Sequence, residues 1–454
     1  MGLGRDVGRV GRVSVAEPRE DTRLDPECEG ARGARRVRRV AVVCVHTSPL
    51  DQPGVGDSGG MNVYVRSLAD ELARRGIESD IFTRASDPKA DRVVDLSETA
   101  RVINVPAGPA GPVDKHELPR YLSEFLCALL RFGSAAGRPY DVIHSHYWLS
   151  GWVGRLLRER WHVPMAASFH TLGKVKNLMR GREDSAEPAA RIAGEARVVA
   201  SADAVFASTP AEASELIGLY GAPAERVKVV SPGVRRELFH PGDRAAAKAA
   251  LGVSDKLVVG FVGRLQPLKG ASIALAALAD LRRRRPDLHD RLLMILVGGA
   301  SGNGKREPER LRALAADLRL DGAARFLEPI PHDAMPSFYR ACDVLIVPSY
   351  SESFGLVALE AQACGVPVIA SAVGGLNYIV DDQATGRLVK GHEPADFSRA
   401  LEDLLDDPHQ RDVLGASGAR LAARYCWEDT ASRVLEAYED LVGRSAEGEW
   451  MGRA

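Results

Sequence analysis

Two carboxylates, Glu352 and Glu360, stand in the stretch Pro348 to Ser371, PSYSESFGLVALEAQACGVPVIAS. An apolar run, Val344-Leu345-Ile346-Val347, precedes it and reads as a buried strand. A helix is expected next, with Ser349, Ser351 and Ser353 at its start, and Gly365 to Ala370 closes into another short strand. Glu352 then falls in the strand-to-helix turn, and Glu360 about two helical turns further in. The turn beyond a parallel strand is where open α/β sheets bind ligands. Unpaired backbone N–H groups at the helix start favour a phosphate there, and a carboxylate deeper in can accept hydrogen bonds from sugar or ribose hydroxyls. Taken alone, the pair reads as a helix cap and a solvated face; residues elsewhere reverse that.

The sequence Gly263-Arg264-Leu265-Gln266-Pro267-Leu268-Lys269-Gly270 follows a strand, Leu257 to Val262, and precedes a helix from Ala271. Arg264 and Lys269 there are two cations able to neutralise a diphosphate. In the first half of the chain, strands end at His46, at His146-Tyr147 and at His170-Thr171, all on one carboxyl edge. Such repetition of polar residues at strand ends points to a shared site. The loop from His46 to Asn62 is Gly-rich and too long for mere connection, and offers clustered backbone N–H groups to a phosphorylated or polyhydroxylated ligand. Gly54, Gly56 and Gly59 match the G-x-G-x-x-G dinucleotide fingerprint in form only. The first glycine lies too far past His46 for the tight turn, and the second strand ends in Thr83-Arg84 with no acid for a ribose. Arg191 and Glu195 are spaced for an intrahelical ion pair.

The elements that must position these groups repeat one pattern. Val40 to His46 is a strand; a loop, a helix over Val63 to Arg75 stopped by Gly76, and a strand over Ile77 to Thr83 follow, a Rossmann-type opening. Further strands are expected at Arg101–Val105, Asp141–His146, Met165–His170, Ala204–Thr209 and Val227–Val230, with a helix over Leu118–Phe132 and a Gly/Pro loop leading to Lys115. Ser231-Pro232-Gly233-Val234 reads as an interdomain hinge. A second α/β domain begins afresh at Leu257, with strands at Leu292–Gly299, Arg325–Leu327, Val344–Val347 and Thr385–Val389. The expected division is a disordered extension over 1–38, Rossmann-like domains over 39–231 and 232–426, and over 427–454 a helix returning to the first domain, then a frayed tail.

An apolar content of 45% is typical of a soluble globular protein. At 454 residues two or three domains are expected. Lys plus Arg (60) balances Asp plus Glu (61), so no global field suggests nucleic acid or an anionic membrane. The six cysteines are scattered without Cys-x-x-Cys spacing, as expected of reduced thiols in a cytoplasmic protein. No apolar run approaches the roughly 18 residues of a membrane span. Residues 1–38 show no signal-peptide pattern, and Arg35-Arg36-Val37-Arg38-Arg39 reads as a solvated lead-in.

Gly-Arg-Leu-x-x-x-Lys-Gly (Gly263 to Gly270), Ser-Glu-Ser-Phe-Gly-Leu-Val-x-x-Glu (Ser351 to Glu360) and the early Gly-Gly loop together resemble the retaining family-4 glycosyltransferases. That resemblance implies the α/β GT-B fold, two Rossmann-like domains facing an interdomain cleft. His46 to Leu50, Gly56 to Tyr64, Ile143 to Gly151 and Phe261 to Pro267 are similar to the branch that moves N-acetylglucosamine from UDP-GlcNAc to 1D-myo-inositol 3-phosphate in mycothiol biosynthesis. By that resemblance His46, Asp57, Ser58, Gly59, Gly60, Met61, Asn62, Lys115, Tyr147, Thr171 and Arg191 would hold the acceptor. Gln52, Pro53, Gly60, Arg264, Lys269, Ile330, Glu352 and Glu360 would hold the donor, with His170, Arg264, Lys269 and Glu352 serving the transfer. The family also implies Mg²⁺ near Tyr339, Arg340, Cys342 and Val366, poor side-chain ligands that leave only backbone carbonyls. A homodimer is the implied assembly. Asn377 departs from the family, where Gly-Gly-Leu is followed by Pro, and is expected to loosen a loop near the donor. The other readings are a sucrose-phosphate-synthase-like transferase with another acceptor, a nucleotide-sugar epimerase, and a non-catalytic nucleotide-sugar sensor.

Overall fold

The computed structural model describes residues 36–135, 140–179, 186–301 and 306–446. The extension expected over 1–38 lies outside the described residues up to residue 35. At its end the chain is already packed: Val37 is buried, and the Arg38 N–H donates to Asp141 Oδ2 at 2.8 Å. The expected solvated lead-in also fails at Arg39, which is buried with Nη2 2.6 Å from Asp80 Oδ2.

The first sheet contains β1 (Arg39–Cys44), β2 (Glu78–Arg84), β3 (Val93–Asp95), β4 (Ala100–Val105), β5 (Val142–His146), β6 (Met165–Ser168), β7 (Ala204–Ala207) and β8 (Val227–Val229). Its order is β3-β4-β2-β1-β5-β6-β7-β8, parallel apart from the antiparallel β3. Every residue of β1 is buried, as a parallel strand covered on both faces requires, and this is why the run Val40 to Cys44 is apolar without alternation. The helix after β1 begins at Gly60, not Val63, because the Asn62 side chain accepts the Gly59 N–H at 2.9 Å and caps it. The helix expected from Leu118 opens as a 3₁₀ turn, Leu118–Tyr121, before the α-helix Leu122–Ala135. Pro119 has no N–H to give, and a tight first turn suits it.

The second sheet contains β9 (Leu257–Val262), β10 (Leu292–Val297), β11 (Ala324–Leu327), β12 (Val344–Val347), β13 (Val368–Ser371) and β14 (Gly386–Val389), in the parallel order β11-β10-β9-β12-β13-β14. Strand order reverses about β1 and about β9, so each sheet has a switch point at β1/β5 and β9/β12, where a crevice opens beyond the carboxyl ends. The helix after β12 begins at Leu356, with Gly355 as its N-cap, and ends at Ala363. It is shorter than expected: Ser349, Ser351 and Ser353 lie in the loop before it, and Glu360 is about one turn in.

The chain crosses between the domains at two adjacent places. Val234 bridges Cys426, and the Thr430 hydroxyl donates to the Ser231 carbonyl at 2.8 Å. The helix Trp427–Ala446 then covers the first sheet, where Trp427, Ala431, Val434 and Tyr438 share a buried cluster with Val40, Val42, Tyr64 and Leu68.

Candidate active site

A cleft of about 290 Å³ lies where the carboxyl ends of the two sheets face each other. β1, β5 and β6 are neighbours, so His46, Tyr147, His170 and Thr171, which follow them, converge on one wall. Tyr147 has φ 74° and ψ 158°, a region nearly reserved for glycine, and His170 has φ 61°; such strain persists only where the surroundings hold it. Tyr147 is held by the His46 ring, 4.4 Å between centroids, and by the Arg191 guanidinium 5.0 Å over its face.

Behind this wall runs a chain of rings. His170 Nε2 lies 2.8 Å from His146 Nδ1, and His144 is fixed between Ser168 Oγ (2.8 Å) and the Tyr438 hydroxyl (2.6 Å). Burial holds His46, His144 and His170 down to about 3 and His146 well below its ordinary value. His170 therefore faces the cleft as a neutral imidazole, a hydrogen-bonding group and not a cation.

Arg191 is both an ion-pair member and a cleft residue. Its Nε donates to Glu195 Oε1 at 2.7 Å, its Nη1 lies 2.9 Å from Glu187 Oε2, and its Nη2 donates at 3.0 Å to both the carbonyl and the hydroxyl of Thr171. Lys115 reaches Asp57 Oδ1 at 3.4 Å, and Arg264 reaches the same atom from the opposite wall at 3.9 Å. Burial would raise the Asp57 carboxyl, but the two cations outweigh it and keep the group below its ordinary value.

On the second wall Lys269 Nζ is 2.6 Å from Glu352 Oε2. Gly270 must be glycine: its φ is 72°, and a Cβ would stand 2.1 Å from the Pro348 carbonyl oxygen. Glu352 is fixed by Gly374-Gly375; the Gly375 N–H donates to its carbonyl at 2.8 Å. Glu360 is buried, with His332 Nε2 at 2.7 Å and the Tyr339 hydroxyl at 2.8 Å on its two oxygens. At Asn377 the N–H and the side-chain amide both reach the Gly374 carbonyl at 3.4 Å, and the first of these a proline could not supply.

Pro53, Asp57, Gly59, Gly60 and Met61 line the cleft, as does Ile330 on the other wall. Three of the expected residues are held elsewhere. The Asn62 amide donates to Thr47 Oγ1 (2.8 Å) and the Ser48 carbonyl (2.6 Å), the buried Ser58 hydroxyl donates to the Asp51 carbonyl (3.2 Å), and Gln52 donates across the domains to the Pro329 carbonyl (2.6 Å). They shape the loop and do not face the cleft with their side chains. The Ser353 hydroxyl makes a second cross-domain bond, to the His170 carbonyl at 2.6 Å. Sequence reasoning missed Lys176, His332 and Gln266, which also line the cleft; no motif marks the first two, whereas Gln266 stands inside the Gly263 to Gly270 motif.

The set expected to hold magnesium does not fit such an ion through its side chains. The Tyr339 hydroxyl is bound to Glu360, the Arg340 guanidinium is itself a cation bound to the Leu238 and His240 carbonyls, and burial pushes the Cys342 thiol well up. The Tyr339 carbonyl already accepts the Cys342 N–H at 2.9 Å. No step of the chemistry is assigned to a metal.

Two largely parallel α/β sheets whose carboxyl edges face each other across a cleft are the arrangement of the GT-B glycosyltransferases. Residues 59–233 match the glycosyl transferase 4-like domain, and residues 243–420 match glycosyl transferases group 1. D-inositol 3-phosphate glycosyltransferase of Kribbella flavida is 51% identical over 407 residues, 89% of this chain and 96% of its own length. Its counterpart in Thermobispora bispora is 49% identical, covering 90% and 96%. Among solved structures, sucrose-phosphate synthase from Thermosynechococcus elongatus superposes with a TM-score of 0.82 at 32% identity, over 89% of this chain and 99% of that one. The chain belongs to the D-inositol 3-phosphate glycosyltransferase family.

Proposed function

We propose that the protein transfers N-acetylglucosamine from UDP-GlcNAc to 1D-myo-inositol 3-phosphate with retention at the anomeric carbon, giving UDP and the precursor of mycothiol. The observation that carries this reading is the placement of cations on both walls of one cleft. Lys115 and Arg191, with the Thr171 and Tyr147 hydroxyls nearby, suit a phosphate monoester on the first wall; Arg264 and Lys269 suit a diphosphate on the second. The name shared by the relatives supports the acceptor. The sugar and base of the donor follow from the motif resemblance.

In this reading the bond from the anomeric carbon to the diphosphate oxygen breaks through an oxocarbenium-like state. Arg264, Lys269 and the backbone N–H groups at the start of the helix Leu356–Ala363 take up the charge on the departing UDP. An acceptor hydroxyl attacks the same face and passes its proton to a donor phosphate oxygen. His170 orients the sugar as a neutral hydrogen-bond partner, Glu352 grips the sugar, and Glu360 the ribose. The same reading places the reaction in the cytoplasm and the enzyme in a homodimer, the latter checked by the mass of the purified protein in solution.

A sucrose-phosphate-synthase-like activity is the second reading, favoured by the 0.82 TM-score of that neighbour. Product mass separates the two. Incubation with UDP-GlcNAc and inositol 3-phosphate yields a new glycoside if the proposal holds; product with fructose 6-phosphate alone replaces the acceptor, and free UDP with a rearranged sugar identifies an epimerase.

A further inference from the structure

We propose that Lys176 is a further cation of the acceptor subsite and that, with Lys115, it reads the charge of a phosphate monoester on the acceptor. The proposal rests on the transfer to a phosphorylated polyol described above and deepens it.

Lys176 lies in the short helix Gly173–Met179, directly after Thr171, and lines the cleft. Its ammonium is held by Glu187, the carboxylate that also holds Arg191 Nη1. Burial, and after it the charges of Arg191 and Lys115, lower the Lys176 pKa against Glu187, which raises it. Lys115, Lys176 and Arg191 all line the cleft, and the last two share the Glu187 carboxylate. The same crowding drives Glu187 down to about 2, against the burial that would raise it.

The donor inventory decides which of the three can take a ligand. A guanidinium has about five N–H groups. Those of Arg191 are directed to Glu195, twice to Thr171 and to Glu187, leaving a single N–H on Nη1. Arg191 thus builds the wall and supplies field. Lys176 and Lys115 each carry about three donors and each meet one carboxylate, Glu187 and Asp57. Each keeps donors for a phosphate oxygen. Those carboxylates balance the two cations, so an acceptor lacking the phosphate gains nothing there, while a dianion shares both ammonium groups with them.

The test is calorimetric binding to the full chain of 1D-myo-inositol 3-phosphate, myo-inositol and fructose 6-phosphate, for wild type, Lys176→Met, Lys176→Arg and Glu187→Gln. Lys176→Met weakens the phosphate ester by about tenfold to a hundredfold, barely changes free inositol, and leaves UDP binding within about twofold. Lys176→Arg restores most of the affinity, which a purely structural role would not predict. Glu187→Gln removes the carboxylate that competes for the ammonium and tightens the ester by about threefold or more; this arm is independent of any folding defect in Lys176→Met. Equal affinity of wild type and a folded Lys176→Met for the ester, or no tightening in Glu187→Gln, overturns the proposal, as does a wild type that binds no phosphate ester. A wild type that binds fructose 6-phosphate and not the inositol ester removes the acceptor named above, while the same variants, read with fructose 6-phosphate, still decide the role of Lys176.

Discussion

Lys269 and Glu352 are joined at 2.6 Å, so a diphosphate arriving beside Lys269 shares the ammonium with a carboxylate that stays in place. Arg264 in turn lies near Asp57 and the Ser301 hydroxyl. Because these cations act on charge that develops as UDP leaves, Lys269→Ala and Arg264→Ala are each expected to lower kcat by about a hundredfold to a thousandfold, with acceptor affinity in direct binding nearly unchanged. Wild-type turnover in both removes the front-face mechanism. The buried imidazoles give a second prediction. His144 and His170 sit at about 3 in the fold against 6.5 when unperturbed. A base whose folded pKa is depressed is protonated first in the unfolded chain. Its contribution is whole above about pH 6.5 and lost as pH falls towards about 3. Melting temperature should fall steeply across that window, and His144→Gln should flatten the slope; a flat wild-type profile contradicts the assignment. Activity between pH 7 and 8 should show no histidine ionisation from His170.

Elements were legible in the sequence where a run of apolar residues had one possible home. β9 and β12 occupy the residues expected of them, Leu257–Val262 and Val344–Val347, because strands covered on both faces admit no polar interruption. The helix after β12 was misjudged because Ser349, Ser351 and Ser353 imitate a helix start. Long-range packing decides otherwise: a Cβ on Gly374 would stand 2.1 Å from the Glu352 carbonyl oxygen, so these loops interlock and keep 349–355 out of the helix. Gly374→Ala, also strained at φ +45°, should cost about 1–3 kcal/mol of stability and displace Glu352, lowering turnover. Urea midpoints and kcat measure the two effects, and unchanged values of both would show that the interlock is slack. Lys176 and His332 escaped notice because their partners, Glu187 and Glu360, are joined to them only by the fold.

At the scale of the whole molecule, the helix Trp427–Ala446 ties the far end of the second domain back to the first sheet. The Tyr438 hydroxyl meets His144 Nδ1 at 2.6 Å across 294 residues of sequence, behind the ring chain that ends at His170. Apolar positions on that helix were readable in the sequence; the partner of the hydroxyl was not. Tyr438→Phe leaves a buried ring nitrogen without its partner and should cost about 1–3 kcal/mol, seen as a lower melting temperature with activity retained at low temperature. No change in melting would mean that the contact carries no weight. The central claim is that one cleft joins a nucleotide sugar to a phosphorylated polyol. Its most direct test is the product mass after incubation with UDP-GlcNAc and either 1D-myo-inositol 3-phosphate or free inositol. A new glycoside with the phosphate ester and none with the free polyol is the result predicted; equal transfer to both, or UDP release with no glycoside from either, would contradict it.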